Sequence, residues 1–233
     1  MRRTADIYSA VDYLTTLTFV DNDRIGALGI CAGSGAAIKA TCTERRIKAV
    51  ATVSAVDVGA ATRGGWDGKA SAVDQIANLE AVAAQRTAEA AGADPVYWPY
   101  VPAVGDTSAP GDLQEAADYY LTARGQHPNA PNKMLTDSLS YMVAFHGFDL
   151  VESCLTQPLL VIARSEAGSL WHSAELYAKA PGTKELVVID AATHMDLYDG
   201  PRVDEVLGHL SPFFAENLGD PRAAELTATA QSR

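Results

Sequence analysis

The residues with the clearest chemical potential lie in Gly29-Ile30-Cys31-Ala32-Gly33. Ile25 to Ile30 is a run of small apolar, strand-favouring residues, and Ala36, Ala37, Ile38 and Ala40 read as a helix that begins just after the cysteine. A Gly-x-nucleophile-x-Gly pattern between a strand and a helix is an elbow whose bend pushes the central side chain outward. The two glycines are expected there because a side chain at either position would collide with neighbouring backbone. At a helix N-terminus the aligned peptide dipoles favour a negative sulfur, so the Cys31 thiol is expected to ionise below its ordinary range. The backbone N–H of Ala32 is the candidate donor to an oxyanion. Ser34 is a rival nucleophile by type, but Ala32 stands where its leading glycine should be.

A thiol nucleophile needs a base, and His194 in "ATHMDLYDG" follows the last apolar strand. From there an imidazole can swing over the strand ends, take the thiol proton and return it to a leaving group. His127, His146, His172 and His209 lack this placement, and the last two read as surface residues. An acid that fixes the imidazole tautomer is expected just past a strand. Glu166, three residues beyond "LLVIA", is the assigned acid, and Asp57, past the preceding strand, is the alternative.

The elements that must hold these groups alternate. A helix starts at Thr4 with Ile7, Val11, Leu14 and Leu17 at helical spacing; strands follow at 24–30 and 47–55 with a helix between them. Residues 59–153 change character: one helix over 71–92, a Pro- and aromatic-rich loop, then helical stretches around 112–123 and 132–145. "QPLLVIARS" and "KELVVIDAA" supply two more buried strands around a helix near 173–180, and 201–218 forms a last amphipathic helix. Alternating strands and helices imply a mostly parallel sheet flanked by helices, with the site at the carboxyl ends of the strands. The expected organisation is a core half over 1–58, a helical cap insertion over 59–153, a second core half over 154–218 and a loose tail over 219–233.

The chain has 233 residues, 48% of them hydrophobic and 20% charged, with a formal net charge of −11. That charge argues against nucleic acid and anionic lipid as partners. No apolar run approaches the roughly 20 residues of a membrane helix, and a cytoplasmic location is expected. The three cysteines are widely spaced and fit neither a disulfide framework nor a metal site, so free thiols are expected. The glycines at 29–35 do not have phosphate-cradling spacing.

"RIGALGICAGSG", "RIKAVATVSAVD", "YYLTARGQHPNAPNK", "PLLVIARSEAGSLW" and "KELVVIDAATHMDLYD" together resemble the α/β-hydrolase superfamily, in its dienelactone-hydrolase-like branch. The resemblance covers about residues 5–218. It implies a Cys31 nucleophile and His194 base acting on ester, lactone or thioester bonds of a small acyl substrate, with neither metal nor organic cofactor. An acyl-transferring or non-catalytic relative is the alternative. In the relatives the stretch matching "ARSEAG" reads Gly-Ser-x-Ala-Asp, so Arg164 stands in place of a glycine and Gly168 in place of an aspartate. The resemblance also begins at the helix before the elbow, as in an N-terminally truncated domain. The strand at 24–30 is therefore expected to present an unpaired edge that a second copy of the chain could cover. Trp66, Trp98, Tyr97, Tyr100, Tyr119, Tyr120 and Trp171 are candidates to line an acyl pocket. Arg124 and His127 in "RGQHP" are expected to be structural.

Overall fold

A computed structural model describes residues 2–219. In chain order the elements are α1 (Arg2–Leu14), β1 (Ile25–Ile30), α2 (Ala32–Thr43), β2 (Ile47–Val53), α3 (Val58–Gly64), α4 (Ile76–Ala90), β3 (Tyr97–Trp98), α5 (Gly111–Leu121), β4 (Met134–Leu135), α6 (Ser138–Val143), α7 (Val151–Cys154), β5 (Leu159–Arg164), α8 (Leu170–Lys179), β6 (Lys184–Ile189) and α9 (Val203–Leu218). Short 3-10 turns lie at Ala72–Gln75 and Met195–Leu197.

Four strands pair in parallel in the order β1-β2-β5-β6. The period-2 alternation of side chains sorts their apolar residues into two layers. Val50, Leu159 and Val161 pack with Ile38 and Cys42 of α2 and Leu176 of α8, whereas Ala51, Val53, Leu160 and Ile162 pack with Val206 and Leu210 of α9. Burial on both faces explains why "LLVIA" is a continuous apolar run rather than an alternating one.

β1 is an edge strand, paired only with β2 among the described residues. On the α9 side, Gly26 is covered by Phe214 and Leu218, while Leu28 and Ile30 farther along the same face are 45% and 47% exposed. The long helix expected over 71–92 is instead a 3-10 turn followed by α4, and the stretch expected as helix over 132–145 opens with β4, which pairs with β3. Apart from Gly219, the expected loose tail lies outside the described residues.

One histidine departs from its expected place. His172, expected at the surface, is fully buried in α8 with its ring stacked 3.6 Å from Trp171, and neither ring nitrogen has a hydrogen-bond partner among the described residues. Burial alone holds its pKa down to about 4, from an ordinary 6.5. Between those two values the unfolded chain binds the proton that the folded chain refuses, so stability falls as the pH drops through the window. Replacing His172 by Leu is expected to remove of order 3 kcal/mol of that loss at pH 4. The measurement is Tm between pH 7 and pH 4.5, which should decline less steeply in the variant.

Candidate active site

The elbow forms as the sequence implies. β1 ends at Ile30, α2 begins at Ala32, and Cys31 between them has φ 49° and ψ −126°. A non-glycine residue with positive φ is strained, and neighbouring structure must hold it there. The Cys31 N–H donates to the Val53 carbonyl at 3.0 Å, and the Cys31 carbonyl accepts from Ser34 N–H at 2.9 Å and Val56 N–H at 3.2 Å. The two glycines of the motif are not equivalent. A Cβ on Gly29 would lie 2.5 Å from the Ser34 Cα, whereas one on Gly33 would meet nothing within 4 Å. Gly29 is thus demanded by the turn, and the expected collision at Gly33 does not occur.

His194 sits at the start of the Met195–Leu197 turn and is 1% exposed. Its Nε2 lies 2.8 Å from the Tyr198 Oη, and the Tyr198 hydroxyl is near enough to the Cys31 thiol for each to shift the other's titration. Tyr198 thus neighbours both groups, and no direct thiol–imidazole hydrogen bond forms among the described residues. The Ala32 N–H lies close enough to the sulfur to favour its charged form. Trp66 packs against the imidazole with ring centroids 5.6 Å apart.

The acid does not follow the expectation. Glu166 is exposed and makes no hydrogen bond to His194, whose Nδ1 has no partner among the described residues. The alternative, Asp57, is committed elsewhere: it caps α3 by accepting from Gly59 and Ala60 N–H and accepts from Gly147 N–H at 2.8 Å. Beside the imidazole lies a cation instead. Arg164 is 2% exposed and donates from Nη2 to Ser169 Oγ at 2.7 Å, and its Nε and Nη1 have no partner among the described residues.

Electrostatics overturn a second expectation. Burial pushes the Cys31 thiol above its ordinary range, outweighing the Tyr198 and Ala32 hydrogen bonds and the nearby Arg164 charge, all of which favour the thiolate. Burial and then Arg164 push His194 down to about 3. Burial likewise raises the Tyr198 phenol, as does the nearby Cys31. The resting site at neutral pH is therefore thiol, phenol and neutral imidazole, not a thiolate–imidazolium pair. The helix dipole is a local effect readable from sequence; the burial that outweighs it arises from the tertiary structure.

Residues between β2 and β5 contribute contacts with no sequence signature of their own. The Asp112 Oδ2 on α5 accepts from Trp66 Nε1 at 2.7 Å and Gly168 N–H at 3.1 Å. Arg124 grips Asp199 through two hydrogen bonds of 2.7 and 2.8 Å, while His127 Nδ1 accepts from the Asn129 N–H in an exposed turn. A cleft of about 340 Å³ opens beside this cluster, lined by Trp66, Asp67, Pro110, Gly111, Asp112 and Gly168. Of the other aromatics, Trp171 donates to the Trp66 carbonyl, and Tyr119 and Tyr120 pack with Met195 and Tyr198. Tyr198 went unnoticed in the sequence, although it lies one helical turn after His194 and so shares its face.

A parallel sheet covered on both faces, a strained corner at Cys31 after its edge strand and a buried histidine loop after its last strand define the α/β-hydrolase fold. By sequence the chain belongs to the family of the Escherichia coli protein YcjY, to which it is 42% identical over 219 residues, covering 93% of this chain and 71% of YcjY. PA2218 of Pseudomonas aeruginosa is 31% identical over 219 residues, 92% of this chain and 58% of that protein. The chain thus spans between about half and three quarters of these relatives' lengths. The PA2218 crystal structure superposes with a TM-score of 0.84 over 92% of this chain and 67% of that one, at 30% identity. The α/β hydrolase GrgF from Penicillium superposes at 0.73 over 93% and 72%, with 19% identity. No model of a known protein family matches the sequence.

Two outcomes are expected from this geometry. Gly29→Ala should cost several kcal/mol or prevent folding, whereas Gly33→Ala should change stability by no more than about 1 kcal/mol; chemical denaturation reads both. Iodoacetamide labelling of Cys31, followed by mass spectrometry, should accelerate up to and beyond pH 9. A plateau reached below pH 7 would indicate an ion pair instead.

Proposed function

We propose that the chain is a hydrolase of the dienelactone-hydrolase-like kind, cleaving ester, lactone or thioester bonds of a small acyl substrate through a covalent intermediate on Cys31, with His194 as base. The observation that carries this reading is the strained Cys31 corner, backed by the Tyr198–His194 hydrogen-bond chain. In the first half-reaction the thiol proton passes to Tyr198 Oη as the phenol proton passes to His194 Nε2, and the sulfur bonds to the acyl carbon. The Ala32 N–H donates to the developing oxyanion. When the tetrahedral intermediate collapses, the bond to the leaving oxygen or sulfur breaks, and the imidazolium returns its proton to that group. Water then attacks the thioester, losing a proton along the same chain, and the acid leaves as the thiol re-forms. The cleft beside Trp66 is the proposed entrance for the acyl group. Three free thiols suit a reducing cytoplasm.

A neutral thiol–imidazole site needs no preformed thiolate; it needs the proton to leave as the sulfur attacks. Turnover of p-nitrophenyl acetate and an S-aryl thioacetate tests the assignment. Cys31→Ala and His194→Ala should fall to the background rate, and Tyr198→Phe should lose about 10²-fold in kcat. Activity should persist to pH values well below 6.5, because His194 stays neutral there. The second reading, a non-catalytic relative, is favoured by the unpartnered His194 Nδ1. It predicts no difference between native protein and Cys31→Ala with either substrate.

A further inference from the structure

Among the described residues no carboxylate bonds the His194 ring, yet its loop is held by one. The Glu115 Oε1 on cap helix α5 accepts from Thr193 Oγ1 at 2.5 Å, and its Oε2 accepts from the Met195 N–H at 3.3 Å. The two donors belong to the residues on either side of the histidine, so one carboxylate spans His194 from the residue before it to the residue after it. Asp112 lies one turn earlier on α5, at i−3 and hence on the same face. It fixes Trp66, whose ring packs on the imidazole, and Gly168. Within the loop, Asp196 Oδ2 accepts from the Thr193 N–H at 2.8 Å, and Arg124 ties down Asp199 next to Tyr198.

Resting on the catalytic reading above, we propose that Glu115 is a positioning residue. It fixes the backbone of the His194 loop from the cap, and so sets where Nε2 and Tyr198 Oη stand relative to the Cys31 sulfur. The orienting carboxylate thus comes from the cap and acts through the loop, where an acid at the end of β5 would act through the ring. A charged acceptor taking two hydrogen bonds holds a short loop more tightly than neutral contacts do. Displacements of about 1 Å at a base are enough to cost on the order of 10²-fold in rate. Arg164 and Arg124 both lie close enough to feel the Glu115 charge.

The test uses the full chain with Glu115→Ala and Glu115→Gln, assayed with p-nitrophenyl acetate beside Cys31→Ala. The expected result for Glu115→Ala is a kcat lower by about 10- to 100-fold with KM within twofold. Amide exchange at Met195 should be at least about tenfold faster, since its N–H loses its acceptor. Glu115→Gln keeps one oxygen for Thr193 but turns an amide N–H₂ towards Met195, so it should fall between native and Ala. Native kcat in Glu115→Ala, or unchanged Met195 exchange, overturns the proposal. If Cys31→Ala keeps native turnover, the catalytic reading fails on its own, while Met195 exchange still decides whether Glu115 fixes the loop.

Discussion

Everything at the site depends on one backbone corner. Cys31 occupies a conformation that L-residues avoid, at a cost of order 1–3 kcal/mol, and three backbone hydrogen bonds linking it to β2, to the loop that follows β2 and to the first turn of α2 hold it there. Because Cys31 N–H and C=O are spent on Val53, Ser34 and Val56, the sulfur is the part of the residue left to point at Tyr198. The sheet registers fix this geometry: Ile30 lies opposite Val53, so the strand that ends in the cysteine ends level with the strand that anchors it.

From that corner the arrangement extends by short polar links across long stretches of sequence. Tyr198 stands next to both the sulfur and the imidazole, and Glu115, Asp112 and Arg124 join α5 and its following loop to the His194 loop, to Trp66 and to Asp199. Helix α5 and the loop after it therefore carry the hydrogen bonds that hold the His194 loop and its neighbour Asp199. Those links are polar and partly sheltered from water, where a hydrogen bond to a charged group is worth about twice a neutral one.

The legible and illegible parts of the sequence divide along physical lines. Strands β1, β2, β5 and β6, helix α2 and the elbow could be read because apolar periodicity and a tight turn leave marks on adjacent residues. The position of His194 was readable because it follows the last strand. Glu166 was readable only as a carboxylate just past a strand end; whether it reaches His194 is decided by the folded loop, which leaves it exposed. Gly33 looked equivalent to Gly29 because a motif records residue types, not the atoms they meet. The burial of His172, the upward shift of the Cys31 thiol and the reach of Glu115 are properties of residues brought together from 50 or more positions apart or of whole packed layers, and no local pattern encodes them.

Two of the three tryptophans lie against imidazoles: Trp66 on His194 and Trp171 on His172, with Trp171 also donating to the Trp66 carbonyl. An indole in contact with an imidazole emits differently once that neighbour acquires charge. The molecule thus carries its own optical gauge of ring protonation, placed at His194 and at His172 along the same indole chain.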